Sequence, residues 1–124
     1  MNEPIALLLC GRALIATQLE ERLVALRYRT RVVSTPADLI AVAEQAKAMV
    51  VLADIEGAPE PVLAVLEKLR TNPVTAHIPT IGFVREADAG TQAALLARGV
   101  APVVSEAAML SHLPQLLDRA LDVQ

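Results

Sequence analysis

Apolar runs of about five residues alternate along the chain with longer stretches in which apolar positions recur every three or four residues. Ile5 to Leu9 (IALLL) is the first such run and ends at Cys10-Gly11. From Ala13 to Leu26, residues Ile15, Leu19, Leu23 and Leu26 lie at helical spacing between Gln18, Glu20, Glu21 and Arg22, which predicts a first helix. Thr30 to Ser34 predicts a second strand. Ser34 or Thr35 is placed to cap a second helix running to about Lys47, with Pro36 in its first turn and Asp38 facing its positive end. Ala48 to Ala53 (AMVVLA) is the most strand-like run, and Asp54 follows it.

Gly57, Pro59 and Pro61 interrupt the pattern before a third helix carrying Val62, Leu63, Leu66 and Leu69. NPVTAHIP reads as a loop, Thr80 to Val84 as a fourth strand, and Gly90 to Arg98 as a short helix closed by Gly99. Ala101 to Val104 (APVV) predicts a fifth strand, set at a sheet edge because Pro102 cannot donate to a ladder. Leu110, Leu113, Leu117 and Leu121 mark a last helix that Pro114 bends or delays. Strand then helix, five times over, implies a parallel sheet covered on both faces. In such sheets the functional rim is the carboxyl ends of the strands, which brings Cys10, Asp54, Val84, Ser105 and Glu106 together.

Composition narrows this further. Hydrophobic residues make up 54% of the 124 residues, yet Tyr28 and Phe83 are the only aromatics, so the core must be aliphatic. The length suits one domain, residues 1–124. A net charge of −3 with no basic stripe recommends neither nucleic acid nor an anionic membrane as partner. MNEP lacks the start of a secretory signal, no run approaches a membrane span, and the single cysteine fits a reducing compartment, so a cytoplasmic location is expected. With His77 in a loop and His112 at a helix start, no transition-metal site is expected.

Three stretches carry a family resemblance. VVLADIEG (Val50 to Gly57), RTNPVTAHIPTIGFV (Arg70 to Val84) and LLARGVAPVV (Leu95 to Val104) resemble the receiver domain of two-component response regulators, over essentially the whole chain. The resemblance implies a flavodoxin-like, doubly wound five-stranded parallel α/β sheet of order 2-1-3-4-5. It also implies a chemistry: an aspartate ending the third strand takes a phosphoryl group, and two acidic residues after the first strand hold Mg²⁺. A Thr or Ser ending the fourth strand and a Lys ending the fifth bind the phosphoryl group.

Carried over residue by residue, only Asp54 matches. The acidic pair falls on Cys10 and Gly11, the hydroxyl position on Val84, and the lysine position on Ser105 or Glu106. The chain has only two lysines, Lys47 ending the second helix and Lys68 inside the third, so the site lysine is absent rather than displaced. A phosphoryl group on Asp54 would bring nearly two negative charges with neither metal nor lysine to offset them, and Glu56 and Glu106 add repulsion. Arg12 either pairs with Asp54 in place of a metal or points to solvent at the start of the first helix.

Cys10 precedes a helix, where a thiol can be activated and phosphate held. IALLLCGRALIATQLEERL faintly resembles the phosphocysteine loop of sugar-phosphotransferase IIB domains, but has one Gly where that loop is rich in Gly, Ser and Thr. A small buried core cysteine is the simpler reading. Glu67 and Arg70 are spaced to pair on the third helix.

The expectation is therefore a degenerate receiver (a pseudo-receiver) without catalysis, cofactor or metal. It would bind a protein partner or a second copy through its helix 4–strand 5–helix 5 surface. The rival readings are a slow phosphoacceptor at Asp54 and a small phosphotransfer protein using Cys10.

Overall fold

The computed structural model describes residues 3–100 and 102–121. Five parallel strands, β1 (Ile5–Leu9), β2 (Arg29–Val33), β3 (Val50–Asp54), β4 (Thr80–Val84) and β5 (Val103–Ser105), form one sheet in the order β2-β1-β3-β4-β5. The helices are α1 (Ala13–Ala25), α2 (Leu39–Ala46), α3 (Pro59–Thr71), α4 (Ala89–Ala97), α5 (Glu106–Ser111) and α6 (Leu113–Leu121). This is the doubly wound flavodoxin-like architecture expected from the alternation of elements.

Alternate residues of each strand serve opposite faces, which divides the core in two. Leu7, Leu9, Val51 and Ala53 pack with Leu39, Ala43, Val62 and Leu66 beneath α2 and α3. Ala6, Leu8, Val50, Leu52, Ile81 and Phe83 pack with Leu19, Leu23, Met109, Leu113 and Leu117 beneath α1, α5 and α6. All five residues of β3 are buried, so the central strand is a continuous apolar run ending in one carboxylate. At about 1.5–3 kcal/mol per buried Leu, Val or Phe side chain, these two layers hold the fold.

Several boundaries differ from expectation, for local reasons. β2 begins at Arg29, whose N–H donates to the Pro4 carbonyl, and stops before Ser34. β3 takes in Asp54 and leaves out Ala48 and Met49, since Asp54 still pairs with Phe83 of β4. Neither Ser34 nor Thr35 caps α2: a 3-10 turn at Pro36–Asp38 precedes it, and Thr35 Oγ1 donates to Asp38 Oδ2 at 2.8 Å. β5 starts at Val103, with the Pro102 carbonyl accepting from Gly82 N–H; Ala101 lies outside the described residues.

Pro114 divides the last helix in two. It lacks the N–H that would bond four residues back to the Leu110 carbonyl. That carbonyl accepts from Arg22 Nε of α1 at 2.8 Å instead, so the break is satisfied from a neighbouring helix. Gly99, at φ +83°, closes α4 as expected, while Arg27 and Lys47 take the left-handed conformation after α1 and α2. Among the described residues, no helix is long and apolar enough to cross a membrane.

Candidate functional site

Parallel pairing in register brings the ends of β1, β3, β4 and β5 to one rim. Cys10 follows β1, Asp54 and Val84 end β3 and β4, and Ser105 ends β5 opposite Val84. Asp54 is 4% exposed, so its charge must be met by the protein.

It is met in full. Arg12 Nε donates to Asp54 Oδ2 at 2.7 Å and Arg12 Nη2 donates to Oδ1 at 2.9 Å, a two-bond fork between guanidinium and carboxylate. The Cys10 thiol donates to Oδ2 at 3.5 Å, and the Glu56 N–H donates to Oδ1 at 2.9 Å. Of the two placements open to Arg12 in the sequence, the structure has the pair with Asp54. Arg12 reaches the carboxylate because it precedes α1 in extended conformation, at φ −98° and ψ 109°.

The arginine has a second anionic neighbour. Glu106 Oε2 stands 2.6 Å from Arg12 Nη2, a charged contact additional to the fork on Asp54. The hydrogen bond to Asp54 first, and Glu106 after it, raise the Arg12 pKa above its ordinary value, against the opposing effect of partial burial. One guanidinium thus joins β3 to the β5–α5 junction. The sequence marks Glu106 as one candidate for the lysine position and as a source of repulsion. Its attraction to Arg12 depends on a third element, α1, entering from the side.

The remaining rim residues have other tasks. Ser105 ends β5, but its hydroxyl accepts from Ala108 N–H and caps α5; the side chain returning to the site is that of Glu106. Val84 is buried and offers no hydroxyl. Glu56 Oε1 accepts from the Arg85 N–H just after β4. Cys10 is 3% exposed, and burial first, with the Asp54 charge adding to it, pushes its thiol pKa up against an opposing effect of the Arg12 backbone. A buried, protonated thiol is a poor nucleophile. His77 and His112 are exposed, His77 in the turn before β4 and His112 between α5 and α6.

A cleft of about 240 Å³ opens beside Asp54 between Gly11, Ser34, Pro36 and Gly57, and Arg12 is the one cation among the described residues that line it. The residues at hand do not fit a hydrated divalent ion. The carboxylate oxygens already carry a guanidinium, the neighbours are a thiol and a glycine, and no cluster of three acidic, His or Cys ligands occurs among the described residues.

No protein-family model matches the sequence, and no curated protein matches it. Similarity appears in three dimensions. The receiver domain of the sensor histidine kinase PA1611 from Pseudomonas aeruginosa, solved with a magnesium ion coordinated in its active-site cleft, superposes with a TM-score of 0.85 at 19% identity. That match covers 98% of this chain and 100% of that one. A response regulator from Thermotoga maritima gives 0.83 at 10% identity, with the same coverage of both chains. A CheY-like receiver domain from Methanospirillum hungatei gives 0.81 at 16%, covering 98% of this chain and 95% of that one. Together with the strand order and the carboxylate ending β3, these superpositions establish that the chain has the receiver fold of two-component response regulators.

Proposed function

We propose that this chain is an atypical receiver-like signalling domain that acts by protein–protein interaction, with Asp54 serving as an ion-pair acceptor and not as a phosphoacceptor. The observation that carries this reading is the Arg12 fork on Asp54. Attack by Asp54 on a phosphoryl donor requires one carboxylate oxygen to leave the guanidinium. The product would bear close to two negative charges beside Glu106, with a single arginine to offset all of them. Neither a lysine nor an acidic metal pair stands ready to take over, and the domain on this reading has no catalytic activity of its own.

The surface of α4 supports the interaction role. Ala93, Ala94 and Ala97 are exposed, Leu96 is 63% exposed, and Leu95 is the only buried residue of the helix. A shallow groove of about 240 Å³ runs between α4 and β5, past Ala93, Leu96, Pro102 and Val103. Such an apolar face suits a protein partner or a second copy of the chain.

Incubation with acetyl phosphate and Mg²⁺, followed by intact-mass measurement, tests the proposal. No covalent adduct is expected. An adduct that forms on the wild type and disappears in Asp54→Asn overturns it, and one that disappears in Cys10→Ser points to thiol chemistry instead.

A further inference from the structure

The rim opposite Asp54 carries a second feature. A cavity of about 170 Å³ lies between the C-terminal half of α3, the turn leading into β4, and Gly99-Val100. Leu66, Leu69, Ile78 and Val100, all buried, form its walls, and Arg70 stands at its mouth. The Glu67–Arg70 pair expected from helical spacing does not occur: Arg98 pairs with Glu60, and the charge of Glu67 also acts on Arg98. Arg70 turns the other way, and its Nη1 donates to the Gly99 carbonyl at 3.0 Å.

That placement depends on the glycine. A Cβ at position 99 would collide with the Arg70 guanidinium, so Gly99 both closes α4 and leaves the arginine its place. Among the described residues, Nε and Nη2 of Arg70 have no hydrogen-bond partner, and no carboxylate forms an ion pair with it. The result is a free donor edge, Nε–Nη2, beside a slot whose buried walls are aliphatic and whose lining also includes Thr80.

We propose that this slot binds a small aliphatic monocarboxylate. The planar guanidinium edge matches a carboxylate through two parallel bonds, and the aliphatic walls take the hydrocarbon chain. The volume matches the choice, since an apolar cavity of roughly 150 Å³ holds a ligand the size of benzene, which corresponds to about four to six carbons. Inorganic phosphate suits the slot poorly, because Arg70 is the one cation among the described lining residues and the buried walls, Leu66, Leu69, Ile78 and Val100, are hydrocarbon. The slot abuts the turn that joins α4 to β5, so an occupant would contact the base of the proposed interaction surface. It shares no residue with the Asp54 rim, and its existence does not depend on whether Asp54 reacts.

The test is an NMR titration of the full chain with butyrate and, separately, with 1-butanol as the uncharged counterpart. Butyrate is expected to give saturable shifts at the Gly99 and Val100 amides and the Leu66 and Leu69 methyls. Binding of 1-butanol, and of butyrate to Arg70→Gln, should be weaker by about tenfold or more, the factor for losing a charge-assisted hydrogen-bond pair. Ala76→Leu, on the exposed lip, should block the slot while leaving its buried walls intact. No saturation by butyrate, equal binding of butyrate and 1-butanol, or undiminished binding to Arg70→Gln would each overturn the assignment. The comparison with 1-butanol on the wild type decides the matter even if a variant fails to fold.

Discussion

Arg12 and Asp54, 42 residues apart in the chain, meet through two parallel hydrogen bonds of 2.7 and 2.9 Å at the rim of the sheet. Among the described residues Asp54 has no other charged partner there, whereas Arg12 is shared with Glu106.

Removing the arginine therefore leaves a buried carboxylate uncompensated. Arg12→Ala should cost about 3 kcal/mol, the scale for breaking a buried pair from one side, read as a lower urea midpoint at unchanged slope. Asp54→Asn placed on that background should recover part of the loss, giving a coupling of about 2 kcal/mol in the double-mutant cycle. Glu106→Gln should cost under about 1 kcal/mol, because Arg12 keeps its fork on Asp54 and is itself 27% exposed. Strictly additive effects of Arg12→Ala and Asp54→Asn would show that the fork carries no energy.

Cys10 should be slow to react and sensitive to alkali. Its pKa is raised in the folded state, chiefly by burial, so the protonated thiol is favoured there more than in the unfolded chain. That contribution to stability is complete below the ordinary thiol value of about 8.5 and is lost as the pH rises toward the folded value. Thiol titration at pH 8 should be slow in the native protein and rapid in urea. Chemical denaturation between pH 8 and about 10 should show a steeper decline for the wild type than for Cys10→Ala.

Asp88 caps α4, its Oδ1 accepting from the Thr91 N–H at 2.8 Å. That bond lowers the Asp88 pKa in the folded state, so the cap is present above the ordinary carboxylate value and is lost as the pH falls through the folded one. Because Leu95 is the sole buried anchor of α4, the helix should fray locally rather than unfold the domain. Hydrogen exchange should show faster α4 amides in Asp88→Ala at pH 7, and in the wild type only under acid. Unchanged α4 protection in Asp88→Ala would remove the cap from the account.

The apolar face of α4 is addressed by Leu96→Glu. Leu96 is 63% exposed, so the domain should keep its thermal midpoint to within the small range of surface substitutions. Self-association by sedimentation, or capture of a partner, should be abolished. A variant that assembles like the wild type would place the interaction elsewhere.

Much of this architecture is legible from the chain's pattern. The apolar runs of β1, β3 and β4 are each long enough for one buried strand and too short for a helix, and the amphipathic spacing of α1 and α3 could bury only one face. Gly99 and Pro102 mark the end of α4 and the edge position of β5 by backbone geometry alone. Boundaries shifted where a tertiary hydrogen bond outweighed local preference, as at Arg29 and Asp54. Pro114 removes one helical hydrogen bond in any context, but Arg22 from α1 is what satisfies the carbonyl left free at the break between α5 and α6.

The site divides along the same line. Residue identity alone determined that Asp54 lacks an acidic pair, a hydroxyl and a lysine at the family positions, because no arrangement of the chain can supply side chains it lacks. Which way Arg12, Glu106 and Arg70 point was decided by tertiary structure. A long charged side chain at a loop or helix end has several staggered rotamers of similar energy, and only the charges and carbonyls brought near it by folding choose among them. Asp54 and Glu106 drew Arg12 inward, and the Gly99 carbonyl took Arg70 away from Glu67.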